Sequence, residues 1–313
     1  MALNFEIKDK NEGGQSVRPF AVCTGSDGEN AHIEIPQVFR GLPVTSVASH
    51  AFADRKDLKS ITIPDSVSHI GSYAFYNCTS LETLSLTDSV EEYEGGAIRQ
   101  CTSLGVIEIH AHRGSYRILK DILADSGAEL HVHLWQPVGE EKSGRRQTAD
   151  NGMEQDAVTK QNGSLERAPG LEVDLIFPAY YDEFREDTHA RDFHYHIVGA
   201  GLGYREIVTR RAIDLIDYDR KFTTVTSLPG AELTAARIAY GRLAWPLRLL
   251  PRHRQTYLAY LKMHSRDLLS YYTARHDVET CARLMEFFRQ ENASAPVPAG
   301  SAGSGASFDL GDL

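Results

Sequence analysis

The fold is decided by residues 33–86, whose sequence is IEIPQVFRGLPVTSVASHAFADRKDLKSITIPDSVSHIGSYAFYNCTSLETLSL. Two apolar residues flank a polar one at Ile61 and Ile63, and this alternation predicts a short strand. The same pattern returns every 23 residues, at Leu84/Leu86, Ile107/Ile109 and Leu130/Val132. An earlier pair, Ile33/Ile35, lies 28 residues before Ile61, and a five-residue insertion around Gly41-Leu42-Pro43 explains that longer step.

Other positions follow the same period of 23 residues. The apolar columns are Phe52, Phe75 and Ile98; Leu58, Leu81 and Leu104; and Val47, Ile70, Tyr93 and Tyr116. Cys78 precedes Cys101 by one period, and we expect both thiols to be reduced and buried. A period of 20–29 residues with a short alternating strand predicts a leucine-rich-repeat solenoid, in which successive units form a parallel sheet over a continuous core.

The motifs within each unit are more specific than the period. They are an IxIP strand, a V-xx-I turn, a GxxAF segment predicted to begin a helix, and a CxxL segment. Over about residues 30–110 the chain resembles the bacterial BspA-like (Treponema-type) leucine-rich repeat. The resemblance implies a repeat solenoid, and exported members of that family look like adhesion and host-binding proteins. Residues 111–135 lack the AF and CxxL motifs and predict a closing helix and a last strand that cap the solenoid.

The chain is predicted to be an α+β protein in four parts. A leucine-rich-repeat domain spans residues 1–135, a disordered linker 136–170, an α+β domain 171–292, and a flexible tail 293–313. In the third part, residues 194–222 predict two or three strands, and helices follow from Glu232 onwards. Its last two helices resemble an ankyrin-type hairpin, and the region as a whole resembles the C-terminal part of uncharacterised leucine-rich repeat proteins of Firmicutes.

Charge and composition restrict the possible partners. The formal net charge is -10, and residues 1–135 carry 11 Lys or Arg against 18 Asp or Glu. An acidic surface repels phosphate, so nucleic acid is not expected as a partner. No apolar run is long enough to cross a membrane, and the N-terminus, MALNFEIKDKNE, has no apolar signal segment. Together with four cysteines and no CxxC pair, these features predict a cytoplasmic protein.

The outward side chains of the repeat strands are the candidate binding residues. We expect them to recognise a protein partner from the concave face of the sheet, because each strand adds contact area on a rigid surface. They are Glu34, Thr62, Ser85, Thr87, Glu108, His110, His131 and His133. The period aligns His110 with His133 and Glu108 with His131, so metal binding by this histidine face is an alternative hypothesis.

No catalytic motif is found. GxSxG and HExxH do not occur, so we expect no enzymatic activity, no catalytic residue and no cofactor. The GAGLGY segment at 199–204 predicts a bulged strand or tight turn, and Asp214, Asp217 and Asp219 predict the solvated side of a strand. A metal-dependent enzyme that uses the histidine face or residues 194–219 is the alternative to a binding module. His189, His194 and His196 are interpreted as surface residues.

The C-terminal tip is a second candidate binding element. It combines apolar and acidic side chains at the end of a tail of Ala, Gly, Ser and Pro: Phe308, Asp309, Leu310, Asp312 and Leu313. Such segments often fold onto a groove when they bind. We therefore predict that the tip docks on a partner protein. An adhesin or effector exported by a route without an N-terminal signal is a further alternative.

Overall fold

Strands of two separate sheets recur through the first 137 residues, and a mainly helical region follows them. The computed structural model describes residues 2–10, 16–137, 170–187 and 192–293. The strands are β1 Ala2–Lys10, β2 Ser16–Asp27, β3 His32–Glu34, β4 Val38–Phe39, β5 Leu42–Val47, β6 Ser60–Thr62, β7 His69–Ile70, β8 Thr83–Thr87, β9 Glu92–Tyr93, β10 Val106–His110, β11 Leu130–Pro137, β12 Gly170–Phe177, β13 Tyr181–Asp187 and β14 Asp192–Val198. The helices are α1 Arg117–Asp125, α2 Gly201–Glu206, α3 Leu215–Arg220, α4 Phe222–Thr226, α5 Glu232–Ala244, α6 Pro251–Met263, α7 Ser265–Ala274 and α8 Val278–Ala293.

The predicted repeat strands form one parallel sheet. Strands β3, β6, β8, β10 and β11 are neighbours in chain order, and all four pairings between them are parallel. Ile33 lies opposite Ile61, Ile61 opposite Leu84, and Leu84 opposite Ile107. The long first step and the two 23-residue steps from Ile61 to Ile107 are therefore confirmed, and the repeat region is a β-solenoid.

A second sheet forms the other side of the solenoid. Val47 pairs with Ile70, and Ile70 pairs with Tyr93, again 23 residues apart. The hairpin of β1 and β2, which the sequence pattern did not predict, continues this sheet at its N-terminal end. The GxxAF segments form turns at residues 72–77 and 95–100 and do not begin helices. In each of these short repeats, a two-residue strand and a tight turn are enough to bring the chain back to the next strand of the parallel sheet.

The inner residues of the repeats stack into a continuous core. Leu58, Leu81 and Leu104 are buried, and the rings of Phe52 and Phe75 stack with their centroids 5.8 Å apart. Each repeat thus contacts its copies in the units before and after it, which is how a solenoid is stabilised. The two predicted columns that contain Phe75 and Leu81 are buried throughout, whereas Tyr93 and Tyr116 of the third column are only half-buried.

The last repeat differs from the others in register. Glu108 lies opposite His133 and His110 opposite Trp135, so the step from β10 to β11 is 25 residues. The predicted alignments of His110 with His133 and of Glu108 with His131 are wrong by two residues. The reason is helix α1, which replaces the turns of earlier units and lengthens this one. Because side chains alternate with a period of two along a strand, the shift leaves each of them on its predicted face.

Strand β12 closes the sheet. It pairs with β11 in antiparallel orientation over eight residue pairs, from Leu130 opposite Phe177 to Pro137 opposite Gly170. Helix α5 packs against β12 at Gly241, where a Cβ atom would lie 2.9 Å from the Asp174 carbonyl oxygen. The core of the solenoid therefore continues into the C-terminal region. The segments predicted as linker and tail lie outside the described residues, except for positions 136, 137, 170 and 293.

Where strands were predicted after β14, residues 201–226 form the three short helices α2, α3 and α4, and the turn between α2 and α3 holds a single antiparallel bridge from Val208 to Ile213. The GAGLGY segment contains the start of α2 at Gly201. A Cβ atom on Gly201 would lie 2.1 Å from the Pro178 carbonyl oxygen, so glycine at this position permits the close packing. Asp214 is the N-cap of α3 and accepts hydrogen bonds from the Ile216 and Asp217 amides. Asp219 is buried, so the prediction that it lies on a solvated strand is also wrong. Helices α7 and α8 follow each other through a short turn, and their ankyrin likeness stays a prediction.

Candidate binding face

The candidate surface is the outer face, which we define as the outward side chains of β3, β6, β8, β10, β11 and β12. Side chains at matching register positions form columns across these strands. The central column is Glu34, Thr62, Ser85, Glu108, His133 and Asp174. On β11, His131 is the outward residue that precedes His133, so it lies just before this column. His110 and Thr87 belong to the next column, together with Trp135 and Glu172. All eight predicted binding residues therefore lie on the outer face.

The side chains in the middle of the outer face are less exposed than those on either side. Ser85 and Thr87 are only 8% and 6% exposed, whereas Glu34 and Thr62 are exposed and Glu108 is half-buried. The hydroxyl residues of β8 thus form a floor between taller side chains on either side. Thr87 Oγ1 accepts a hydrogen bond of 3.2 Å from the Ser89 amide. The Ser85 hydroxyl has no hydrogen-bond partner among the described residues.

A depression of about 290 Å³ lies on this floor, at the carboxyl ends of the strands. Its ionisable lining residues are Glu34, Asp65, His110 and His112, and no Lys or Arg from the described part of the chain lines it. The imidazole of His112 approaches the Asp65 carboxylate, with 3.5 Å between Nε2 and Oδ1. Pro36, Pro64 and the β8 hydroxyls complete the wall. The depression thus offers carboxylates, hydroxyls and flat apolar surface.

At the other end of the outer face, two histidines bind carboxylates of β12. His131 Nε2 donates a hydrogen bond to Asp174 Oδ1. His133 Nε2 lies 2.9 Å from Glu172 Oε1, and its Nδ1 lies 4.0 Å from Asp174 Oδ2. The indole of Trp245, which follows α5, packs edge-on against His133 with 5.9 Å between ring centroids. We call these four His and acidic residues the histidine–carboxylate cluster; they hold the closing strand against the last repeat.

The charges of the histidine–carboxylate cluster stabilise one another. Burial acts to raise the pKa of Asp174, but the hydrogen bond with His131 and the nearby imidazole of His133 outweigh it and bring that pKa to about 2. The nearby Asp174 carboxylate raises the pKa of His133 above its ordinary value, against the opposing effect of burial. Glu172 and Glu108 add attraction from the neighbouring strands. A protonated His133 beside an ionised Asp174 is therefore the favoured state of this contact.

This arrangement predicts how the stability of the protein changes with pH. A raised folded-state pKa means that His133 contributes fully below its ordinary value of 6.5 and loses the contribution as the pH rises through the raised value. The lowered pKa of Asp174 contributes above 3.8 and is lost as the pH falls towards about 2. We expect the stability difference between the wild type and His133→Gln to be largest between these limits and to decrease on the alkaline side. Thermal melts across pH measure it, and a constant difference would contradict the assignment.

The structure also addresses the alternative hypothesis of a metal site. His110 lies in the second column, away from the histidine–carboxylate cluster, and the other two predicted histidines are engaged by carboxylates. No group of three His, Cys, Asp or Glu side chains in the described segments is arranged to hold a metal ion. The thiols of Cys78 and Cys101 are free, and each donates a hydrogen bond of 3.0 Å to a backbone carbonyl.

Some predicted residues are not brought to the outer face. His194 and His196 lie on β14, in the separate two-stranded sheet, and His189 is outside the described residues. The tip residues, Phe308 to Leu313, are also outside them. Conversely, Glu172 and Asp174 are part of the outer face although the repeat pattern did not predict them. The alternation in LEVDLIF (171–177) is the signal that could have found them, because it places these two acids on one face of a strand.

The similarity to a known family lies in the repeats. Residues 31–123 match the family model of the BspA type leucine rich repeat region in six copies. That match ends before the C-terminal region, so the proposed resemblance of that region to Firmicutes proteins is unsupported. No curated protein matches the chain. None of the helices among the described residues is long and apolar enough to span a bilayer.

Several solved structures share the repeat. A leucine rich cell surface protein from Faecalibacterium prausnitzii is 29% identical over 34% of this chain and 31% of its own, with a TM-score of 0.26. The T. pallidum leucine rich repeat protein is 24% identical over 34% of this chain and 51% of its own, with a TM-score of 0.26. A leucine-rich repeat protein from Bacteroides ovatus is 22% identical over 36% of this chain and 31% of its own, with a TM-score of 0.28.

The chain therefore spans between about a third and a half of these relatives. The family match and the strands that pair at 23-residue steps lie in the same segment of the chain. Residues 31–123 are a BspA type leucine rich repeat region.

Proposed function

We propose that this chain is a protein-binding module whose partner docks on the outer face of the repeat sheet. The observation that carries the proposal is the row of side chains from Glu34 to Asp174, held in fixed register by six paired strands. A rigid surface of this kind loses little conformational entropy on binding, so its contacts are favourable for affinity. The BspA type repeats support an interaction module in general.

The packing beneath the face supports the same proposal. Below the outward residues, the inward residues of every repeat strand are buried, so the face rests on a close-packed core. The closing strand and α5 with Trp245 delimit the face at one end. We infer that a partner enters from the side of β3 and β6, where Glu34 and Thr62 are exposed.

The proposal treats the protein as non-enzymatic and cytoplasmic. Leucine-rich repeats of this family are typical of binding proteins, and no motif of catalysis accompanies them. The main alternative to a cytoplasmic binding module is an exported adhesin or effector, because the Faecalibacterium prausnitzii relative is a cell surface protein. Fractionation of the native cell distinguishes the two locations.

A charge-and-size substitution in the centre of the face tests the proposal. Thr62→Arg places a long cation on the exposed middle of the central column, where it blocks close approach. Thr102→Arg makes the same chemical change in the loop before β10, away from the outer face. In pull-downs from native lysate, we expect Thr62→Arg to lose at least one protein that the wild type and Thr102→Arg both retain. Identical sets of recovered proteins would refute docking on this face.

The C-terminal tip is proposed as a second docking element, and it is tested separately. Deletion of Phe308 to Leu313 should leave the melting temperature unchanged and remove a partner from the recovered set. A lowered melting temperature with the same partners would instead make the tip part of the fold.

A further inference from the structure

We infer that the outer face recognises an extended, basic segment of a partner protein, with a Lys or Arg side chain in the depression between Glu34 and Asp65 and a second one beside Glu108. This inference rests on the proposed function and specifies the chemistry of the partner.

Charge is the first argument. Among the described residues, the outward positions of β3, β6, β8, β10, β11 and β12 hold acids, histidines, hydroxyl residues and apolar residues, but no Lys or Arg. Glu34 and Glu108 form no salt bridge with any described cation. The Glu34 carboxylate therefore remains available to an incoming cation, and that of Glu108 faces only the imidazole of His133 on the next strand. The carboxylates of Asp65, Glu172 and Asp174 already bind histidines. A partner with complementary charge would be both attracted and oriented by this face.

The hydroxyl of Ser85 is a second feature of the depression. This residue is 92% buried and lines the depression, and its hydroxyl makes no hydrogen bond within the described chain. The hydroxyl oxygen is not fully enclosed, so a segment bound on this recessed floor can reach it and form a hydrogen bond with it. Ser85 lies between Thr62 and Glu108 in the central column. A backbone amide or carbonyl of an extended segment that crosses the strands would meet it there.

The spacing of the acids sets the spacing of the cations. Glu34 and Glu108 are three strands apart in the column, which corresponds to about 14 Å at the usual separation of neighbouring strands. An extended chain covers that distance in about four residues. Residues i and i+4 of an extended chain point to the same side. The face thus fits basic residues at positions i and i+4, laid across the strands.

Labelled synthetic peptides test the inference on the full-length chain. The first probe is an extended Ser/Thr/Gly peptide with lysines at i and i+4. The second has the lysines at i and i+3, which point to opposite sides, and the third has glutamates at i and i+4. Fluorescence anisotropy should show the first peptide binding at least about fivefold more tightly than the second, and no binding of the third. Raising the salt concentration should weaken the binding, because exposed charge pairs are screened.

Matched variants locate the site. Glu34→Gln and Glu108→Gln should each weaken the first peptide about threefold to tenfold, while Glu92→Gln, on β9 of the other sheet, should have no effect. Ser85→Ala should weaken it about threefold through the lost hydrogen bond. The same variant should not lower the melting temperature, because its hydroxyl has no partner in the chain. A purely structural serine would give the opposite combination.

Three outcomes would overturn the inference. They are equal binding of the lysine and glutamate peptides, loss of binding in Glu92→Gln to the same extent as in Glu34→Gln, and binding that appears only after Lys142 and Arg146 are replaced by Gln. The last would mean that the chain's own basic residues, which also have the i and i+4 spacing, occupy the face. If no peptide binds but Thr62→Arg still loses a native partner, the proposed function stands and only the basic chemistry is wrong.

Discussion

Arg242→Met should lower the free energy of unfolding by about 3–5 kcal/mol, the usual effect of removing one partner of a buried ion pair. Arg242 and Asp219 are completely buried, with Nε 2.8 Å from Oδ1 and Nη2 3.1 Å from Oδ2. The guanidinium also donates to the backbone carbonyls of Trp245 and Leu247, at 3.1 and 3.0 Å. Methionine fills a similar volume but leaves the carboxylate and both carbonyls without these donors.

The remaining partner cannot compensate for this loss. Tyr257 donates one hydrogen bond of 2.9 Å to Asp219, which is too little for a carboxylate in the interior. We therefore expect the double variant Arg242→Met, Asp219→Asn to be more stable than Arg242→Met alone, because the isolated charge is gone. Arg283→Met is the matched control: its pair with Glu279 is on the surface, and its effect should stay within about 0.5 kcal/mol. Chemical denaturation measures all three, and equal effects of the two arginine substitutions would contradict the assignment.

Leu81→Ala should destabilise the protein by about 2–5 kcal/mol, because a large side chain is removed from a packed core. Leu81 is fully buried between the equivalent residues of the adjoining repeats, Leu58 and Leu104. The cavity would therefore affect the contacts of three units at once. Denaturation curves of the single variant and the wild type give the difference directly.

The control for this prediction lies on the opposite face of the same sheet. Glu34→Ala removes an exposed side chain with no ion pair among the described residues, and it should change the stability by less than about 0.5 kcal/mol. If Glu34→Ala and Leu81→Ala cost the same, the inward and outward assignments of the repeat are wrong.

The repeats could be predicted from the sequence because every contact in them is repeated. Ile61 pairs with Leu84, and Leu84 pairs with Ile107, at one constant separation along the chain. A period in the sequence therefore corresponds to a row of paired residues across neighbouring strands. The outward residues followed from the same alternation. The error of two residues at His131 and His133 arose where helix α1 interrupts the period.

The C-terminal region could not be predicted as well, because its contacts are not periodic. β12 follows β11 by 32 intervening residues, and nothing local indicates which strand it pairs with. The β-branched residues Ile207, Val208 and Ile213 favour strands by propensity, yet only an isolated bridge between Val208 and Ile213 forms, in the turn between two short helices. Burial of Asp219 depends on Arg242, 23 residues further on, and alternation alone cannot show that pairing.

The antiparallel closing strand determines how such a protein can change in length. A new repeat would bring a parallel strand, and β12 now occupies the only edge on which such a strand could extend β11 in the same hydrogen-bonding pattern. Growth by addition at that end is therefore blocked, whereas duplication of a 23-residue unit between β6 and β10 keeps both terminal structures intact. Each such insertion would move Glu34 and Glu108 one strand further apart. Variation in repeat number would thus adjust the length of the partner segment that we propose binds across the strands.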